Sequence, residues 1–119
     1  MKIEVNGKVI RVKLLGNSSA EAVKGLLKEG PMTLDMKDYA HMEKFGSLGK
    51  QLPRNDRPIT TKAGDVILSE GHLLVIYYAP NTWNFTKIGT VQNMTEKELK
   101  EALGKGTITA ILSLDEEEK

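Results

Sequence analysis

Six side chains of this sequence could together make a binding surface: the aromatics Tyr39, Phe45, Trp83 and Phe85, and the guanidinium groups of Arg54 and Arg57. A flat ring with an N–H or O–H at its edge can line a ligand groove. Arginine offers a two-pronged donor suited to carboxylates and other anions. Aromatic residues are scarce here, with three Tyr, two Phe and one Trp. Tyr39 and Phe45 flank His41, and Trp83 and Phe85 stand at alternate positions just past Pro80. Arg54 and Arg57, with Lys50 and Lys62, form a basic stretch punctuated by Pro53 and Pro58. The functional reading is a groove on a barrel wall, walled by the four aromatics and rimmed by one of the arginines, that holds a peptide or small ligand. The plainer reading is packing: Trp83 as a lid on the core and the arginines as solvated loop charges. On either reading Trp83 is expected to be partly buried against residues 37–61, with Tyr39 or Phe45 beside it.

Other chemistry is sparse. Asp35 and Asp38 are three apart, with Glu43 nearby. A carboxylate pair can serve acid–base work, but on a strand that spacing puts the two on opposite faces. His41 reads as a loop histidine able to titrate near neutrality, and His72 as structural beside a tight turn. There is no cysteine, so thiolate chemistry is excluded. Two histidines thirty-one positions apart supply no ligand spacing, so neither a metal nor another cofactor is expected. Nucleophile-elbow, phosphate-loop and dinucleotide motifs are missing. Gly104-Lys-Gly106 follows a helical pattern instead of preceding one, so it reads as a helix cap and turn.

The chain has 119 residues, 39% apolar and 28% charged, which fits one globular domain with an ordinary core. Its net charge is +1. That is far from the basic footprint of a nucleic-acid binder. The longest apolar run, Leu73–Ala79, is too short to cross a bilayer, and Met1–Gly7 shows no apolar leader pattern. The expectation is a cytoplasmic protein without nucleic-acid or membrane partners. Residues 1–114 read as the domain, and Asp115–Lys119 as an acidic, disordered tail.

These residues are positioned by short strands. Asn6-Gly7 is a strong hairpin turn and sets Val5 opposite Lys8, and Ile3 opposite Ile10, leaving Met1, Ile3, Val5, Ile10, Val12 and Leu14 on one face. Ser18–Lys28 reads as a helix opened by the capping box Ser18-Ser-Ala-Glu21. Met32–Met36 alternates as a strand. Residues 37–61 read as a long irregular loop, a length often tied to function. Val66–Ser69 and Leu73–Tyr78 pair through the Glu70-Gly71 turn, and Thr86–Val91 adds a further strand. Thr95–Leu103 is a second capped helix, and Thr107–Leu114 a last strand with Ile108, Ala110, Leu112 and Leu114 facing inwards. Strands dominate, so a closed or nearly closed antiparallel β-barrel with two short capping α-helices is expected, because closure removes exposed edges.

The segments Met36-Lys-Asp-Tyr39, Glu43-Lys-Phe-Gly-Ser-Leu48, Gly64-Asp65 with the strand pair behind it, and Thr86-Lys-Ile-Gly-Thr-Val91 resemble the cyclophilin-like β-barrel proteins of bacteria and archaea, over nearly the whole chain. The resemblance implies the cyclophilin barrel and no assigned activity. True prolyl isomerases of the fold carry a Phe-His-Arg segment and a Gly-Phe-Met-x-Gln-Gly-Gly-Asp run. Neither is present here, so no catalytic residue carries across. A weak isomerase would still need a guanidinium donor to help lower a barrier of about 18–20 kcal/mol, which leaves Arg54 and Arg57 as its candidates. Related domains can stand beside flavodoxin-like proteins, which implies a further alternative, an accessory partner of a redox protein.

Overall fold

The computed structural model describes all residues, Met1–Lys119. In chain order its elements are β1 (Lys2–Val5), β2 (Lys8–Leu14), α1 (Ser18–Lys28), β3 (Met32–Tyr39), β4 (Glu43–Ser47), β5 (Arg57–Thr60), β6 (Asp65–Ser69), β7 (Leu73–Tyr77), β8 (Thr82–Val91), α2 (Glu96–Leu103) and β9 (Ile108–Ser113). Eight strands run in the order β2-β1-β9-β3-β4-β7-β6-β8, and β8 returns to β2 to close an antiparallel barrel. The ninth, β5, pairs with the first half of β8 and stands outside the closed ring.

The first hairpin has the expected register, Val5 against Lys8 and Ile3 against Ile10, with Asn6 and Gly7 both at positive φ. The closing seam depends on Gly89, opposite Leu14. A Cβ there would lie 2.7 Å from Val12 Cγ1 and 2.8 Å from the Lys13 carbonyl oxygen, so only glycine lets the two strands meet. Inside the ring, 24 residues form one core that includes Ile3, Val12, Leu34, Leu68, Ile76 and Ile88. Both helices add to it, α1 through Ala20, Val23 and Leu27 and α2 through Leu99 and Leu103. No helix is long and apolar enough to cross a membrane.

The structure corrects four expectations. Residues 37–61 are not one loop: β3 extends to Tyr39, β4 and β5 follow, and only 48–56 is irregular. The β3–β4 turn places Ala40 and His41 at φ 52° and 53°, a conformation usually signalled by Asn or Gly. Neither residue announces it. The N-cap of α1 is Asn17, whose side chain accepts from the Ala20 N–H. Ser18 and Ser19 instead hold the irregular segment: Asn55 Nδ2 donates to both hydroxyls at 2.9 and 2.8 Å, and Ser19 Oγ donates to the Pro53 carbonyl. Trp83 lies within β8, which begins at Thr82, and not in a loop ahead of it. Finally, the acidic end is not frayed. Glu116–Glu118 makes one 3₁₀ turn, Asp115 pairs with Arg11 at 3.1 Å, and Glu118 accepts from the Met1 amino group at 2.6 Å.

Candidate functional site

Two rows of side chains cross β3, β4 and β7. Directly opposed residues of antiparallel strands share a face, and neighbours along a strand take opposite faces. Asp38, Lys44 and Ile76 form one row, and Tyr39, Glu43 and Tyr77 form the next. Ile76 belongs to the core inside the ring, so the first row points inwards. Tyr77 belongs to a separate outer cluster with Ile67, Val75 and Phe85, so the second row points outwards.

The outward row opens onto a groove of about 400 Å³. Tyr39, Met42 and Glu43 line one side, and Trp83 and Phe85 of β8 the other, with Tyr77 between. The Tyr77 and Phe85 rings lie 5.5 Å apart at 59°. Asn81 Nδ2 donates to the Tyr77 hydroxyl at 3.2 Å. These rings form an apolar floor, while the two outer aromatics stay in water: Trp83 is 69% exposed and Tyr39 58%. Trp83 therefore lids nothing, and its expected partial burial is not found. Burial pushes the Glu43 carboxyl above its usual range and the nearby Asp38 charge adds to this, against a hydrogen bond from Tyr77.

The inward row is arranged differently. Lys44 is fully buried. Its ammonium donates to the Gly106 carbonyl at 2.6 Å and lies 3.2 Å from Asp38 Oδ1. The Tyr78 hydroxyl donates to the same Asp38 oxygen, and the His41 N–H donates to Oδ2. Burial alone would raise the Asp38 carboxyl, but Tyr78 and Lys44 hold it below the usual range. Burial and the bond to Asp38 push the Tyr78 hydroxyl far upwards. Sequence reasoning missed this trio. Its one signal is Lys44, a charge at the inward position of a strand that otherwise alternates.

The six residues expected to form one site do not converge. Tyr39, Trp83 and Phe85 line the groove, whereas Phe45 packs against the outer cluster beside it. Arg54 is held by Asp56 at 2.5 Å, and that carboxylate also accepts from Thr86 at 2.6 Å. Arg57 borders a separate cleft with Asn17, Asn55 and Lys87. No guanidinium reaches the groove. Asp35 accepts from Thr109, apart from Asp38 and Glu43. The His41 ring is almost wholly in solvent, and His72 Nδ1 lies 3.1 Å from the Glu70 carbonyl in its own turn.

An eight-stranded closed antiparallel barrel with two helices packed into its core is the cyclophilin-type architecture. The chain belongs to the cyclophilin-like family, whose sequence model matches residues 3–113. Among solved structures, McbB in complex with tryptophan resembles it at 17% identity and a TM-score of 0.72, over 97% of this chain and 45% of that one. The chain thus spans less than half of McbB, and the likeness carries the fold alone. No curated protein matches the sequence.

Proposed function

We propose that this barrel is a binding domain and that its site is the outer-wall groove between Tyr39 and Trp83, which takes an aromatic or apolar group of a small ligand or peptide. One observation carries the reading: the two most exposed large hydrophobic side chains of the protein, Trp83 and Tyr39, border the same groove. An isolated exposed aromatic needs no explanation, but a convergent pair above an apolar floor offers the contact area that ligands and hot-spot side chains use. Asn81 and Glu43 supply polar groups that would orient what binds. The tryptophan of the McbB complex is a ligand of McbB; the present reading stands on this groove's own residues.

Trp83 is the single tryptophan, so its emission reports on the groove directly. Short peptides and aromatic fragments that seat against it should shift its emission to the blue, and Tyr39→Ala should weaken the response. If saturating fragments leave the spectrum unchanged, the groove is not a binding site.

A further inference from the structure

We infer that the Tyr39–Trp83 groove is built for a cation, namely an organic ammonium group carried beside an apolar or aromatic moiety. This rests on the groove being a binding site. Six carboxylate side chains are at least partly withdrawn from solvent: Asp38, Glu43, Asp56, Asp65, Asp115 and Glu118. Five of them meet a cation within the protein. Lys44 lies 3.2 Å from Asp38, Arg54 2.5 Å from Asp56, Lys87 3.1 Å from Asp65, Arg11 3.1 Å from Asp115, and the amino terminus 2.6 Å from Glu118. Glu43 meets none. A half-buried carboxylate has lost part of its hydration, and an arriving cation restores more there than at an exposed site.

The surroundings suit the same guest. Glu43 is the sole charged residue lining the groove, although the whole chain is +1. Lys44, its neighbour in sequence, faces inwards and is committed to Asp38 and Gly106. Lys37, two rows away on the same face, is exposed and does not line the groove. Tyr39 and Tyr77 flank Glu43 across the sheet, and Trp83 stands across the groove. Aromatic faces attract cations electrostatically, tryptophan most strongly. A carboxylate framed by electron-rich rings, with no competing cation, favours ammonium over neutral or anionic groups of the same shape.

Three soluble probes of one shape separate the cases: phenethylamine, 2-phenylethanol and phenylacetate, titrated by calorimetry against the full chain. The amine should bind roughly three- to thirtyfold more tightly than the alcohol, with the carboxylate weakest. Glu43→Gln, an isosteric change, should bring amine and alcohol together, while Trp83→Ala should weaken both. Should the Gln variant fail to fold, rising salt must erode the amine's advantage in the wild type. Equal binding of amine and alcohol overturns the cation inference and leaves the groove reading intact. No binding of any probe at millimolar concentration overturns both. An acetylated Lys-Phe amide bound more tightly than the free amine would assign the site to peptides, and the reverse to small amines; either order supports the ammonium class.

Discussion

Adjacent residues on the same strands build two arrangements with the same ingredients and opposite outcomes. Inside the barrel, Asp38 and Tyr78 sit with the buried Lys44, and the carboxylate's partners all come from the protein. Outside, Glu43 sits with Tyr39 and Tyr77, its carboxylate meets no cation, and the rings of Tyr39 and Trp83 face water. A saturated cluster fixes structure, because any lost partner leaves a buried charge uncompensated. An unsaturated one leaves binding capacity unspent. The alternation of the strand separates the two arrangements by a single residue.

Breaking the inner cluster gives the largest effect. Lys44→Met should cost about 3–5 kcal/mol, the range for orphaning a buried charge, as read from urea denaturation. Adding Asp38→Asn should recover part of that loss, since removing both members of a buried pair is less harmful than removing one. A loss below about 1 kcal/mol for the single variant would mean that the trio does not hold the fold.

Acid should expose the same cluster. Asp38 titrates below its unfolded value of 3.8, so its contribution is complete above that pH and is lost as pH falls through the folded value. In the wild type, stability should therefore drop below about pH 4. Asp38→Asn should flatten that part of the profile, as followed by melting temperature against pH.

The outer wall should respond weakly. Trp83→Ala and Tyr39→Ala should each change stability by roughly 0.5 kcal/mol or less, as for other exposed substitutions, and far below the ~3–5 kcal/mol of a core aromatic. A core-sized loss for Trp83→Ala would turn it back into a packing residue. The smallest effect is Glu43→Gln, with a gain. Its carboxyl is raised above the unfolded value of 4.5, so ionisation at neutral pH opposes folding. The variant should melt slightly higher at pH 7 and no higher at pH 4.

Much of this fold was legible in the sequence. The Asn6-Gly7 register, the two helices and the inward alternation of Ile108, Ala110, Leu112 and Leu114 all appear in the structure, because each follows from local turn chemistry or from a period that must match one buried face. The β3–β4 hairpin was hidden because Ala40 and His41 take positive φ without the residues that usually mark it. β5 was hidden because Pro58 and its polar neighbours read as loop. The candidate site was half legible. Tyr39, Trp83 and Phe85 were named, and they do share a groove. The arginines were grouped with them by composition alone, and three-dimensional pairing took them elsewhere: Arg54 to Asp56, Arg57 to the cleft beside Lys87. Glu43 falls in the stretch 37–61 that reads as loop, so its outward place on β4 is hidden in the sequence.

The contrast between the two faces is tested most directly by two-dimensional ¹H–¹⁵N NMR during titration with peptides and aromatic fragments. Binding at the outer wall should move the Trp83 indole N–H and the backbone amides of Tyr39, Met42 and Glu43, and leave Lys44 and Gly106 in place. Shifts confined to another surface, such as the cleft that Arg57 borders with Lys87, or no shifts at all, would contradict the assignment of function to the Tyr39–Trp83 groove.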